Sequence, residues 1–236
     1  MTEETRMRIA FYGDSLVKGN PGVAFLDVLQ PMLSRHAFVN LGKGGDTVIS
    51  LSRRIEKSEQ TPSDLAVLWV GVNDVLSMLS LGHSALKWVT RQPRARDLVE
   101  FRAYYHRILS RLRRSSDNIL AISPLLIGEE LSNPWNRKLE ELARIAHSAA
   151  ASFDHTYYLD LRARLAAVPA MREASDYLPR SITRILLDSL FLQGSAGIDR
   201  AATRRGLHLT LDGVHLNSRG AQEVATLLRA EIEAFS

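Results

Sequence analysis

The chain has 236 residues and a net charge of +4, with 45% hydrophobic and 24% charged residues. Those proportions belong to a folded globular protein and exclude intrinsic disorder, and no apolar run is long enough for stable membrane insertion. Cys is absent, which excludes disulfides, thiolate zinc sites and Cys nucleophiles.

The first eight residues are polar and charged, with no apolar stretch before a small-residue cleavage site, so no secretory leader is expected and a cytoplasmic protein is. Ile9–Tyr12 is the first short apolar run and ends in Gly13. Ala37–Leu41 ends in Gly42, Leu65–Val70 in Gly71, Ile119–Ile122 in Ser123-Pro124, and Thr156–Leu159 in Asp160. Short, continuous apolar runs are expected of strands covered on both faces. Between them lies helical spacing: Phe101, Tyr104, Tyr105, Ile108, Leu109 and Leu112; then Leu139, Leu142, Ile145, Ala146 and Ala149; then Val224, Leu227, Leu228 and Ile232. Strand–helix alternation predicts an α/β fold, a parallel sheet with helices on both faces.

No repeat or linker divides the chain, so residues 1–236 read as one domain. Residues 162–211 exceed the minimal alternation, and a loop of that length without structure of its own is unusual. They read as a helical excursion, with helix-like spacing at Ile182, Ile185, Leu186 and Leu190 and with Pro169, Pro179, Gly194, Gly197 and Gly206 around it. Packing against the sandwich is the preferred reading of the 182–190 piece, and a lid over an apolar acyl chain the other. Arg180 and Arg184 beside it could meet an anionic substrate.

In an open parallel sheet, ligands bind at the carboxyl ends of the strands. Those ends offer Gly13-Asp14-Ser15-Leu16, then Gly42-Lys43-Gly44-Gly45-Asp46-Thr47, then Gly71-Val72-Asn73-Asp74. Asp212-Gly213-Val214-His215 precedes the last helix. These are the parts of an acyl-transfer site. A Ser hydroxyl needs a base, His215 titrates near neutrality, and Asp212 is near enough in sequence to hold the His tautomer. The Ser15 N–H, the N–H of a Gly in the second turn and the Asn73 amide are the available oxyanion donors. Ser15 as a helix cap is the competing reading. Asp14, Asp46 and Asp74 read as structural hydrogen-bonding residues.

These four blocks, in this order, resemble those of the GDSL, or SGNH, hydrolases of esters and lipids. The resemblance rests on Gly13-Asp14-Ser15-Leu16 with Gly19, Asn40-x-Gly42-x-x-Gly45, Gly71-x-Asn73-Asp74, and Asp212-x-x-His215 with Asn217 and Gly220. It implies Ser15 as nucleophile and oxyanion donor, Gly45 and Asn73 as further donors, His215 as base and Asp212 as its orienter. It also implies a three-layer α/β/α sandwich on a flavodoxin-like sheet of five parallel strands. Leu216 stands where family members often have Pro, and the 162–211 excursion is longer than in compact members.

The reaction expected is hydrolysis of a small-molecule or lipid ester through an acyl-enzyme, with no cofactor and no metal. A thioester or an acetylated sugar would suit the same residues, and an inactive relative that binds an acylated ligand is the non-enzyme alternative. Nucleic acid is not expected as a partner, because Arg111, Arg113, Arg114 and Arg200, Arg204, Arg205 lack base-reading companions and read as solvated helix faces. Oligomeric state has no signal in the pattern. His36, His83, His106, His147, His155 and His208 read as surface or capping residues. No paired-His spacing suggests zinc, and no Gly-x-Ser-x-Gly elbow or P-loop is present.

Overall fold

The computed structural model describes residues 6–58, 61–79, 82, 84–85, 89–168, 175–192 and 194–235. His83 and Pro169, singled out in the sequence, lie outside them. Five strands, β1 (Arg8–Gly13), β2 (Ala37–Gly42), β3 (Ser63–Trp69), β4 (Ser116–Ile122) and β5 (Thr156–Leu159), form one parallel sheet in the order β2-β1-β3-β4-β5. This is the sheet expected from the five apolar runs, with ends that differ by no more than three residues; β3 starts two residues before its run and stops short of Val70. In β1 only Arg8 is exposed, while β2, at the edge, is half-buried apart from the exposed Asn40.

Helices occupy both faces. In chain order they are α1 (Ser15–Lys18), α2 (Phe25–Met32), α3 (Val48–Lys57), α4 (Val72–Leu76), α5 (Leu98–Leu112), α6 (Pro134–Ala150), α7 (Leu161–Ala166), α8 (Ile182–Phe191), α9 (Ser195–Arg204) and α10 (Ser218–Glu233). One layer packs α3 on α5 and α5 on α6; the other packs α10 on α2 and α7. Each long helix buries one stripe, for example Phe101, Tyr105, Ile108, Leu109 and Leu112 of α5. Side-chain caps set the starts: Thr47 and Ser50 form a reciprocal capping box on α3, Asp97 caps α5, and Asn133 caps α6 with Pro134 in its first turn.

The described part of residues 162–211 contains most of α7 and the whole of α8 and α9. The preferred packing reading of its middle piece is not met. On α8, Leu186, Leu187, Leu190 and Phe191 are 49%, 53%, 64% and 76% exposed. What holds α8 is polar: Asp188 pairs with Arg205 at 2.8 Å, and Arg205 Nη1 also donates to the Leu211 carbonyl at 2.9 Å. Arg205 further lies over the Tyr177 ring at 5.5 Å. The expected solvated face at Arg200, Arg204 and Arg205 therefore fails at Arg205, which is only 11% exposed and braces the loop before Asp212.

Candidate active site

The turn after β1 is shaped by what surrounds it. A Cβ on Gly13 would lie 2.3 Å from the Trp69 carbonyl oxygen and 2.5 Å from a Val17 methyl, so only Gly lets β1 end this close to β3 and α1. Asp14 then caps α1, its carboxylate accepting the Leu16 N–H at 2.9 Å. Ser15 is thus the first residue inside the helix and not its cap. Its Oγ lies 3.0 Å from His215 Nε2, across 200 positions of sequence.

His215 and Asp212 come from one buried loop. His215 Nδ1 is 2.8 Å from Asp212 Oδ2, while the second carboxylate oxygen accepts the Val214 and His215 N–H groups at 3.0 and 2.9 Å. Asp212 is 1% exposed and His215 5%. Burial favours the neutral form of each. In His215 the Asp212 charge and hydrogen bond outweigh it, with Asp14 and Asp188 adding, so its pKa rises above the ordinary imidazole value. In Asp212 the facing imidazolium and the loop N–H groups outweigh it, and the pKa falls.

The other two sequence blocks sit beside Ser15 because β1 lies between β2 and β3 in the sheet. Gly13 aligns with Gly42 on one side and Trp69 on the other, so the turns after β1, β2 and β3 emerge next to one another. Asn40 clamps the first pair: its amide donates to the Val17 carbonyl at 3.0 Å and its oxygen accepts the Gly42 N–H at 2.9 Å. Gly45 has φ +81°, which turns the chain into α3. Asn73 stands in the first turn of α4, 5% exposed. The three carboxylates assigned structural roles hold these turns. Asp46 accepts from Ser50 and from Arg54, the latter an ion pair at 2.8 Å, and Asp74 accepts the Val48 and Ala95 N–H groups at 2.9 and 3.1 Å.

Two supporting residues carried no signal in the sequence. Glu129, after β4, is fully buried, and its two oxygens accept the N–H groups of His208, Leu209 and Thr210 and the Thr210 hydroxyl, all within 2.8 Å. It fixes the approach to Asp212, helped by Gly128 N–H donating to the Gly213 carbonyl at 2.8 Å. Gln92 donates to the Gly44 carbonyl at 3.0 Å and covers Gly45, where an added Cβ would meet its amide oxygen at 2.5 Å. These contacts span 79 to 81 and 48 positions, beyond any local pattern.

The remaining described histidines stand apart from this chain of contacts. His36 departs from the surface reading: it is buried, and its ring accepts the Met7 N–H at 3.0 Å. His106 packs on Phe153 and His147 on Tyr158. His155 is exposed in the turn before β5 with φ +53°, and the His208 N–H is one of the Glu129 donors.

The model of the GDSL-like lipase/acylhydrolase family matches residues 11–223 of the chain. A search of curated proteins found no match. Among solved structures, the chain is similar to the acetyl xylan esterase AlAXEase at 20% identity, covering 95% of this chain and 99% of that one, with TM-score 0.64. It is similar to a catalytic mutant of an acetylxylan esterase from Geobacillus stearothermophilus at 19% identity, covering 98% and 96%, with TM-score 0.65. A possible lipase from Chitinophaga pinensis is 15% identical over 97% and 98%, with TM-score 0.65. At these identities the structures share the fold, and substrate does not follow from fold. The family match takes in the Ser15 turn, the turns after β2 and β3 and the Asp212–His215 loop, and the chain belongs to the GDSL-like lipase/acylhydrolase family.

Proposed function

We propose that the protein hydrolyses carboxylic esters through an acyl-enzyme on Ser15. The observation that carries the reading is the unbroken hydrogen-bonded line from Ser15 Oγ through the His215 ring to Asp212. His215 Nε2 takes the hydroxyl proton as Oγ attacks the acyl carbon. Asp212 keeps Nδ1 protonated and stabilises the imidazolium. The negative charge reaches the former carbonyl oxygen, for which the Ser15 and Gly45 N–H groups and the Asn73 amide are the donors at adjacent strand ends. The C–O bond to the alcohol breaks as His215 returns its proton to the leaving oxygen. Water then attacks the acyl-enzyme, again losing a proton to His215, and the Ser15 oxygen leaves with that proton to free the acid.

An acetylated carbohydrate is a specific second reading of the substrate. Its support is the set of similar structures whose names describe esterases of acetyl xylan, one of them solved as catalytic mutants at a serine, an aspartate and a histidine. A substrate panel decides between the two. Purified protein should hydrolyse 4-nitrophenyl acetate, and Ser15→Ala should abolish this while keeping the wild-type circular dichroism. Retained turnover in the variant would remove Ser15 from the mechanism. Release of acetate from acetylated xylo-oligosaccharides faster than from simple alkyl acetates would favour the sugar reading, and the reverse order would count against it.

A further inference from the structure

The segment that covers the turn after β2 carries more than Gln92. The Thr47 hydroxyl donates to the Pro93 carbonyl at 2.6 Å, and the Ala95 N–H donates to Asp74. Residues 91–96 are therefore bolted to the turn of Gly45 and, through Asp74, to the start of α4, which bears Asn73. Their arginines face outward from that anchor. Arg91, Arg94 and Arg96, with Arg53 of α3, line an open cavity of about 690 Å³ together with Ser77 and Ser84. Among the described residues, none that lines it is acidic. Among the described residues only Arg96 of the four pairs with a carboxylate, Glu100 at 3.1 Å. Arg91, which lines the cavity, has φ +54°, a conformation that non-Gly residues adopt at some cost.

We infer that this arginine-lined cavity is an anion-binding subsite of the ester hydrolase, and that the substrate is an ester that also bears a carboxylate or phosphate. The inference rests on the proposed function and names the substrate class for it. A concave surface lined by one sign of charge concentrates ions of the other sign, and guanidinium forks match carboxylate and phosphate geometry. Arg53, Arg91 and Arg94, none of which pairs with a carboxylate among the described residues, repel each other, and an anion among them relieves that repulsion. The placement is also functional. The cavity is built on the backbone that positions Gly45: Arg91 adjoins Gln92, whose amide contacts that turn, and Arg94 follows two residues later.

The test uses the full chain and two acetyl esters of matched size, acetylated xylo-oligosaccharide and acetylated galacturonate oligosaccharide, with an acetylated sugar phosphate as a third. The anionic esters should show a lower KM than the neutral one, and the advantage should shrink as salt rises from 20 to 500 mM. In the Arg91→Ala/Arg94→Ala double variant the ratio of kcat/KM for anionic to neutral ester should fall on the order of tenfold, as for loss of charge-assisted hydrogen bonds. Arg53→Ala, on a different element, should lower the same ratio. A preference for galacturonate over the sugar phosphate identifies a carboxylate ligand, and the reverse a phosphate. Equal KM for anionic and neutral esters, or an equal loss on both in the double variant, overturns the inference and leaves the esterase reading intact. Binding of unacetylated galacturonate oligosaccharide and of inorganic phosphate to Ser15→Ala, followed by calorimetry, gives a readout without turnover. Affinity for either that is lost in the arginine variants supports the subsite, and no heat from either overturns it.

Discussion

Asp212 sets the state of His215 in two ways, by charge and by the hydrogen bond to Nδ1. The base must be neutral to accept the Ser15 proton. Because the His215 pKa is raised, protonation on acidification begins above the ordinary imidazole range, and the acid limb of kcat/KM should be half-maximal above roughly pH 6.5. Asp212→Asn removes the charge that raises it and leaves the burial that lowers it. The limb should therefore move to lower pH while the plateau drops by a factor on the order of 10⁴, as when a triad carboxylate becomes an amide. A limb that stays in place would show that Asp212 does not govern the base. Asn73→Ala should cost on the order of 100- to 1000-fold in kcat, measured on 4-nitrophenyl acetate, and an unchanged kcat would remove it from the donors. Glu129→Gln puts an amide N–H against donors that now meet only carboxylate oxygens. It should cost about 1–3 kcal/mol in chemical denaturation and lower kcat more than it raises KM, because it loosens the loop that aims Asp212.

At the scale of elements, the turns of the proposed site depend on residues that lack a side chain or that reach across the sheet. Gly45→Ala forces a Cβ into a backbone at φ +81°, a strain of about 1–2 kcal/mol. It also presses on Gln92, so the expected result is reduced kcat in a folded enzyme, checked by comparing its thermal transition with its turnover. These positions differ in how readable they are. Gly13, Ser15, Asn73 and the Asp212–His215 pair lie at strand ends or before a helix, and the alternation of the chain points to such places. The short helices α1 and α4, four and five residues long, give no periodicity to detect. The start of α6 had a readable signal in Asn133-Pro134, and apolar spacing alone finds only its interior, from Leu139 on. Glu129 and Gln92 were unreadable for a different reason: their function is made by distant backbone groups that the folding of the sheet brings to them. On α8, apolar residues at helical spacing misled, because spacing reports amphipathicity and not whether a neighbour covers the face.

For the molecule as a whole, the order β2-β1-β3 is what turns separate sequence blocks into one site. β1 leads into Ser15, the proposed nucleophile, its two neighbours supply the flanking turns, and the loop ahead of α10 carries His215, the proposed base. The fold was legible because each apolar run ends in a turn residue and the inner strands β1, β3 and β4 are largely buried, and the register then follows from parallel pairing. The central claim is that the Ser15 oxygen is the atom that becomes acylated. Treatment of the intact protein with a fluorophosphonate, followed by peptide mass spectrometry, tests it most directly. The account predicts a single adduct on Ser15, formed more slowly as pH falls through the His215 transition and absent from His215→Ala. Labelling on another residue, or undiminished labelling of Ser15 without His215, would contradict it.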